Sequence, residues 1–339
     1  MRNNSLPHFV VMTLVIAALF FLNLSVGTIN IPLASLWDII TGGNGEPVVW
    51  RNIILKSRLP QALTATVAGA GLAISGLQMQ TVFNNPLAGP SVLGISNGAS
   101  LGVGLMVLAS GGIGGVAMSS LGIAGNAALS IGAIAGSLSV MSLIVYVAQR
   151  VKGNVTLLII GVMIGYVATA IIGVLKYFAA EEDIRAYVVW GLGSFSRVSA
   201  GQVWLFVTIM AALIPLSMLL VKTMNLLMLG EDYARNLGLN IRRARLLVIG
   251  CSGILVAIVT AYCGPVMFLG LAVPHLCRAI WRTSDHRVMM PATMLTGAAL
   301  ALACCIIARM PGFEGALPIN SVTALVGAPI VAMVLFKRK

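Results

Sequence analysis

Charge is what this sequence has least of. Only 9% of its 339 residues are charged, and nine are acidic, where soluble domains carry about 25% charged residues. That scarcity excludes a water-facing globular domain. A hydrophobic content of 59% and a mean hydropathy of +1.00 assign the apolar surface to lipid instead. The acids Asp38, Glu46, Glu181, Glu182, Asp183, Glu231, Asp232, Asp285 and Glu314 all fall in predicted loops or helix ends. Proton- or sodium-driven carriers usually keep an ionisable group inside a span, so that class is disfavoured. Histidine is scarcer still. His8 is terminal, His286 sits beside Asp285 in a predicted loop, and His275 stands in VPHLCR without an obvious partner and reads as structural. Paired catalytic groups for a membrane protease or redox enzyme do not assemble. No GxxxxGK(S/T) run exists to hold ATP. The five cysteines, at 251, 263, 277, 304 and 305, match neither a zinc spacing nor a disulfide framework, so no metal is expected. The pI near 10.0 reports orientation in a membrane rather than nucleic-acid binding.

What is present is a series of apolar runs. A helix needs ~20 apolar residues to cross a bilayer, and spans are expected at 8–27, 61–82, 91–110, 120–147, 155–178, 202–221, 243–261, 266–281, 288–308 and 318–336. This is an all-α, polytopic bundle forming one membrane domain over 1–339. With both termini inside, 14 of the 21 basic residues face the cytoplasm and seven face outward, the expected bias. The first run is longer than a signal-peptide core and lacks an A-x-A-like cleavage site, so it reads as a retained helix. The polar interval 28–60 is expected outside as an ordered loop, with Trp37 and Trp50 as interface anchors.

One segment departs from this background. GEDYARNLGLNIRRAR (230–245) holds two of the nine acids and four of the basic residues. Glu231 and Arg235 are spaced i,i+4 for pairing, Tyr233 and Leu237 share another face, and Gly238 stands where a helix would stop. This is either an ordinary helical loop or a helix built to be gripped by another protein. Two breaks are the other irregularity. Asn84 to Pro90, followed by Leu93-Gly94, opens one span at the expected inner face. Gly264-Pro265, followed by Gly270 and Pro274, opens another at the outer face. Proline removes a backbone donor, so each break needs protein or a wet cavity around it, and opposite placement suggests an inverted repeat.

SRLPQALTATVAGAGLAISGLQMQTVFNNPLAGPSVLGISNGASLG (57–102), LGEDYARNLGLN (229–240), CGPVMFLGLAVPHLCR (263–278), DHR (285–287) and LPINSVTALVGAPIV (317–331) resemble the permease subunits of type II ABC importers, which carry vitamin B12, ferric siderophores and haem. The resemblance runs from about residue 50 to the C-terminus. It implies ten transmembrane helices per chain in the bacterial inner membrane and a second permease chain, identical or related. It further implies two cytoplasmic ATPases that hold the ATP and Mg, a periplasmic or lipid-anchored binding protein, and no cofactor on this chain. The chain itself is then not an enzyme.

Position by position, LGEDYARNLGLN is similar to the family's coupling helices, placing Gly230, Glu231, Ala234, Leu237 and Gly238 in a cleft of the ATPase. Arg58 and Arg309 fall where the family presents outward arginines to glutamates on the binding protein, with a membrane-interface snorkel as the alternative for Arg58. Gln61 stands where some relatives have a further arginine, and Cys305 where relatives often carry aspartate. Asn154 matches a cytoplasmic gate position, or is a helix N-cap. Asn85, Pro86, Leu87, Gly94, Gly264, Pro265, Gly270, Pro274 and His275 belong to the structural motifs. Residues 181–192 resemble an outer half-helix at the external entrance. Alternating access driven by the partner ATPase is the implied mechanism, with iron–siderophore as the first cargo and cobalamin or haem as alternatives. An ion-coupled carrier and a lipid-modifying enzyme are the rival classes.

Overall fold

The computed structural model describes residues 6–27, 29, 31–43, 47–109, 122–151, 153–309 and 316–336. These residues are almost entirely helical and include no strand. In order the helices are α1 (Leu6–Ser25), α2 (Leu33–Thr41), α3 (Val48–Val82), α4 (Ile95–Leu108), α5 (Gly122–Arg150), α6 (Asn154–Phe178), α7 (Glu181–Gly191), α8 (Ala200–Met218), α9 (Val221–Met228), α10 (Glu231–Asn236), α11 (Ile241–Cys263), α12 (Leu269–Trp281), α13 (His286–Ala308) and α14 (Ile319–Phe336). By length and composition α1, α3, α5, α6, α8, α11 and α13 can each cross a membrane, and α4, α12 and α14 are shorter apolar helices. Every expected span coincides with one of these ten.

Helix α3 is the axis of the bundle. Its apolar stretch is 83% buried, against 11% for α1, and α8, α11, α12 and α13 pack around it. Small residues permit the close approach. Where α3 crosses α13, a Cβ on Gly69 would collide with the Gly297 backbone, and one on Gly297 with Gly69. Apolar packing among lipid-like side chains lacks direction, so buried polar contacts set the register. Ser75 and Ser252 join α3 to α11 at mid-bundle, with their hydroxyl oxygens 2.5 Å apart.

Contacts between helix ends sort the bundle into two faces. At one, the ring of Trp281 ending α12 meets His8 and Phe9 at the start of α1, and Arg242 of α11 reaches Gln149 of α5 at 3.4 Å. At the other, Asn23 near the end of α1 donates to the Leu302 carbonyl of α13 at 3.0 Å, and the Ser194 N–H donates to Cys263 at the end of α11 at 2.7 Å. The interval 28–60 departs from the expected loop: α2 and the first turns of α3 make much of it helical. Trp37 is exposed there, whereas Trp50 is half-buried against the core.

Candidate functional site

The polar segment between α8 and α11 folds as α9 and α10, at the same end as the starts of α11 and α13. The Schellman arrangement ends α10 where glycine was expected to. Gly238 has φ 86°, its N–H donates to Arg235 at 2.9 Å, and the Leu239 N–H reaches back to Ala234 at 3.0 Å. Ala234 is fully buried within the chain, so it seats α10 on the bundle instead of entering a partner's cleft. Tyr233, Leu237 and Leu229 are the residues displayed, each more than half exposed. Three large apolar side chains on a polar turn form a ledge that none of the described residues covers.

The Glu231–Arg235 pair allowed by helical spacing does not form. Glu231 pairs with Arg245 of α11, whose side chain is only 10% exposed. Arg235 lies 3.9 Å from Asp232 with both side chains in solvent. A buried guanidinium is less screened than an exposed one, and it wins the carboxylate.

A second set of contacts ties α9 to the core. Asn225 Nδ2 donates to Asp285 Oδ1 at 2.8 Å. Asn225 Oδ1 accepts from the His286 backbone N–H at 2.9 Å and faces His286 Nδ1 at 2.8 Å. His286 Nε2 lies 2.8 Å from the Thr81 hydroxyl of α3. His286 is therefore a buried first residue of α13, not a loop histidine. Asp285 caps α13 by accepting from the Arg287 N–H at 2.9 Å. That bond first, and the Asn225 amide second, hold the Asp285 carboxyl below its ordinary pKa.

At the opposite end, Arg58 does not project outward. It is 4% exposed and donates to the carbonyls of Leu24 at 2.8 Å, Ser25 at 2.7 Å and Ile29. Leu24 and Ser25 are the last residues of α1 and Ile29 lies in the segment after it, so Arg58 caps that helix end and ties down the chain that follows, in place of snorkelling. Arg309 is partly exposed and donates to the Asn23 side-chain oxygen at 2.5 Å and to the Cys305 carbonyl at 3.4 Å. Asn23 thus supplies a polar contact that aspartate at 305 does not. Gly27, Ile53, Gln61 and both arginines line one pocket of about 310 Å³.

The two breaks begin at opposite ends of the bundle, as expected, with Asn84 following Thr81 at the end bearing α9 and Gly264 following Cys263 at the other, and their later residues converge. Gly89, Pro90 and Ser96 share the lining of a pocket of about 120 Å³ with Met267, Phe268 and Gly270. At 14 and 13 residues, α4 and α12 are about 20 Å long, short of a ~30 Å hydrocarbon core, and their N-termini border this pocket. Asn84 (φ 45°) stops α3, the Asn85 side chain accepts from the Leu87 N–H at 2.9 Å, and Gly94 (φ 73°) caps α4. His275 Nε2 donates to the Pro86 carbonyl at 2.8 Å, fixing α12 to the first break; its structural reading stands, and its partner is backbone. Pro274 leaves the Gly270 carbonyl without its intrahelical donor where α3 passes at Gly76. Gly264 (φ 75°) and Pro265 turn the chain beside Gly193 and Trp190 after the half-helix α7. Asn154 is the first residue of α6, with Gly153 at the cap; its side chain lies outside the described residues, as do Glu46 and Glu314.

Residues 14–337 match the FecCD transport family. The chain belongs to that family. It is 38% identical over 299 residues to the vitamin B12 import system permease protein BtuC of Citrobacter koseri, covering 87% of this chain and 84% of that one. It is 38% identical over 309 residues to the BtuC of Shigella boydii, covering 90% and 88%. A solved structure described as an inward-facing conformation of a metal-chelate type ABC transporter superposes with a TM-score of 0.83 at 28% identity, over 98% of this chain and 99% of that one. The protein is a multi-pass permease subunit of a type II ABC importer, a class that works with a separate ATPase and a substrate-binding protein.

Sequence reading missed Asn225, His286 and Asn23 as working residues. Each left a signal. Asn225 interrupts an apolar stretch just before the exposed turn, and Asn23 is a lone amide within ALFFLNLS; a polar side chain held in such a run needs a partner.

Proposed function

We propose that this permease imports a corrinoid, vitamin B12, across a bacterial inner membrane by alternating access, powered by ATP that partner subunits hydrolyse. The names of the relatives carry this choice over the iron–siderophore first expected: two BtuC proteins match at 38% identity across most of their length, and the related solved transporter is of metal-chelate type. Two permease chains enclose the path, two ATPases sit on the cytoplasmic side, and both termini face the cytoplasm, a reading that the basic-residue bias supports.

The exposed ledge of Leu229, Tyr233 and Leu237 is the contact for the ATPase, with Gly230 and Gly238 setting its two turns and Glu231 bracing it on Arg245. Ala234 acts from inside. The pocket shared by Arg58 and Arg309 receives a carboxylate of the binding protein, with Arg309 the more accessible donor. Asn154 is assigned to the cytoplasmic gate. ATP closure of the partner moves the ledge, and the ligand is released by a change in relative affinity of two states rather than by chemistry.

Liposomes holding the permease and its ATPase, supplied with binding protein and vitamin B12, test this reading. Uptake requires ATP and is indifferent to an ionophore. Uptake without ATP contradicts it, and import of a ferric siderophore but not vitamin B12 corrects the cargo alone.

A further inference from the structure

We propose that Asn225 is the joint through which motion of the exposed α9–α10 turn reaches the two helices that carry the outer arginines; this rests on the permease reading above. The other core contacts of α9 are apolar: Met224 and Leu227 are buried, and Val221 and Leu226 pack partly buried against the core. Apolar contacts have no preferred direction and let a helix slide, whereas hydrogen bonds fix distance and angle. Asn225 makes three: its amide donates to Asp285, and its oxygen accepts from the His286 backbone and ring. The His286 ring then continues to Thr81.

The joint engages the inner end of α13 through Asp285 and His286, and the inner end of α3 through Thr81. Arg309 follows the outer end of α13, and Arg58 lies in the outer part of α3. Each helix is a rod of about 35 Å over its 23 or so residues beyond the joint. A push on α9 through Asn225 therefore bears on both rods, and their far ends line the single arginine pocket. Docking outside and hydrolysis inside are linked by the same parts, in both directions as linkage requires. Asn225 is a positioning residue: it touches no ligand, and it acts through α3 and α13.

The experiment exchanges the amide and carboxylate across the joint. The permease–ATPase complex in liposomes is assayed for ATP hydrolysis with and without unliganded binding protein, and the ratio is the readout. Asn225→Asp removes the donor to Asp285 and sets two carboxylates face to face, and the ratio falls about fivefold or more, toward one. Asn225→Asp combined with Asp285→Asn restores the bond between 225 and 285 with its direction reversed, while both His286 donors still meet an oxygen at 225, and asparagine remains a good cap; the ratio returns to within about twofold of wild type. Both variants co-purify with the ATPase, because the ledge is untouched. If Asn225→Asp does not assemble, Asn225→Ala is measured with the same expected loss. Wild-type stimulation in Asn225→Asp, or in its Ala substitute, overturns the joint. So does a double variant as uncoupled as the single one. A wild-type complex that the binding protein never stimulates overturns the permease reading itself, and the joint with it.

Discussion

The two ends of the bundle put one buried arginine each to different use: Arg245 braces a displayed turn, and Arg58 closes a helix end. At the end bearing α9 and α10, charges and apolar side chains are displayed on a short turn that is held from within by Ala234, Arg245 and Asn225. At the other end the chief cation, Arg58, is spent inside, on the last carbonyls of α1. The first end exposes apolar side chains on a turn anchored from within. The second is arranged to keep its shape while offering a half-open pocket, with Arg309 as the accessible donor. A surface residue at one end therefore reports on partner binding, and the arginine at the other reports first on the fold.

The largest test of that contrast is at the ledge. Leu237→Asp places a charge in the centre of the proposed ATPase contact and is expected to weaken association by about 30-fold or more, measured by co-purification and by affinity in detergent. The unfolding midpoint of the permease stays near wild type, since Leu237 is 55% exposed. Arg58→Ala does the reverse. It orphans carbonyls at the end of α1 and costs about 2–3 kcal/mol of stability, read as a lowered denaturation midpoint, whereas Arg309→Ala costs less stability and instead slows binding-protein association in a salt-dependent manner. Equal destabilisation by the two arginine variants would remove the distinction between them.

How much of this was legible beforehand depended on the range of the interaction. The ten apolar runs and the stop at Gly238 are local properties, and each was read correctly from neighbouring residues. Glu231 was assigned to Arg235 because i,i+4 spacing is visible in a sequence, while the buried Arg245, fourteen positions away, is favoured only once α11 folds beside α10. Arg58 was expected outside because nothing near it in the chain announces the α1 C-terminus, about thirty residues earlier. Counting crossings placed the two breaks at opposite faces, and they do begin there; what it missed is that α4 and α12, at 14 and 13 residues, are too short to span, so the breaks run inward and meet. His286 read as a loop residue because its partners Asn225 and Thr81 lie on two other helices.

Smaller effects sharpen the inner end. Glu231→Gln weakens the brace to Arg245 and lowers stability by about 1 kcal/mol, since the carboxylate is partly solvated; the ATPase affinity changes little. The smallest effect is in pH. The Asp285 pKa is depressed in the folded protein, so its contribution is present above the unfolded carboxylate value and is lost as pH falls through the folded one. Acidification below about pH 4 thus lowers the unfolding midpoint of wild type more than that of Asp285→Asn, by an amount limited by the exposure of the group.

The central claim is that the turn after α8 is where the power-supplying partner acts, and a photo-cross-linker at Leu237 addresses it most directly. In membranes containing the whole complex, it should couple to the ATPase in a yield that changes between nucleotide-free and ATP-bound states. A label at Leu237 that reacts only with lipid, or is quenched by reagents confined to the periplasmic side, contradicts the account.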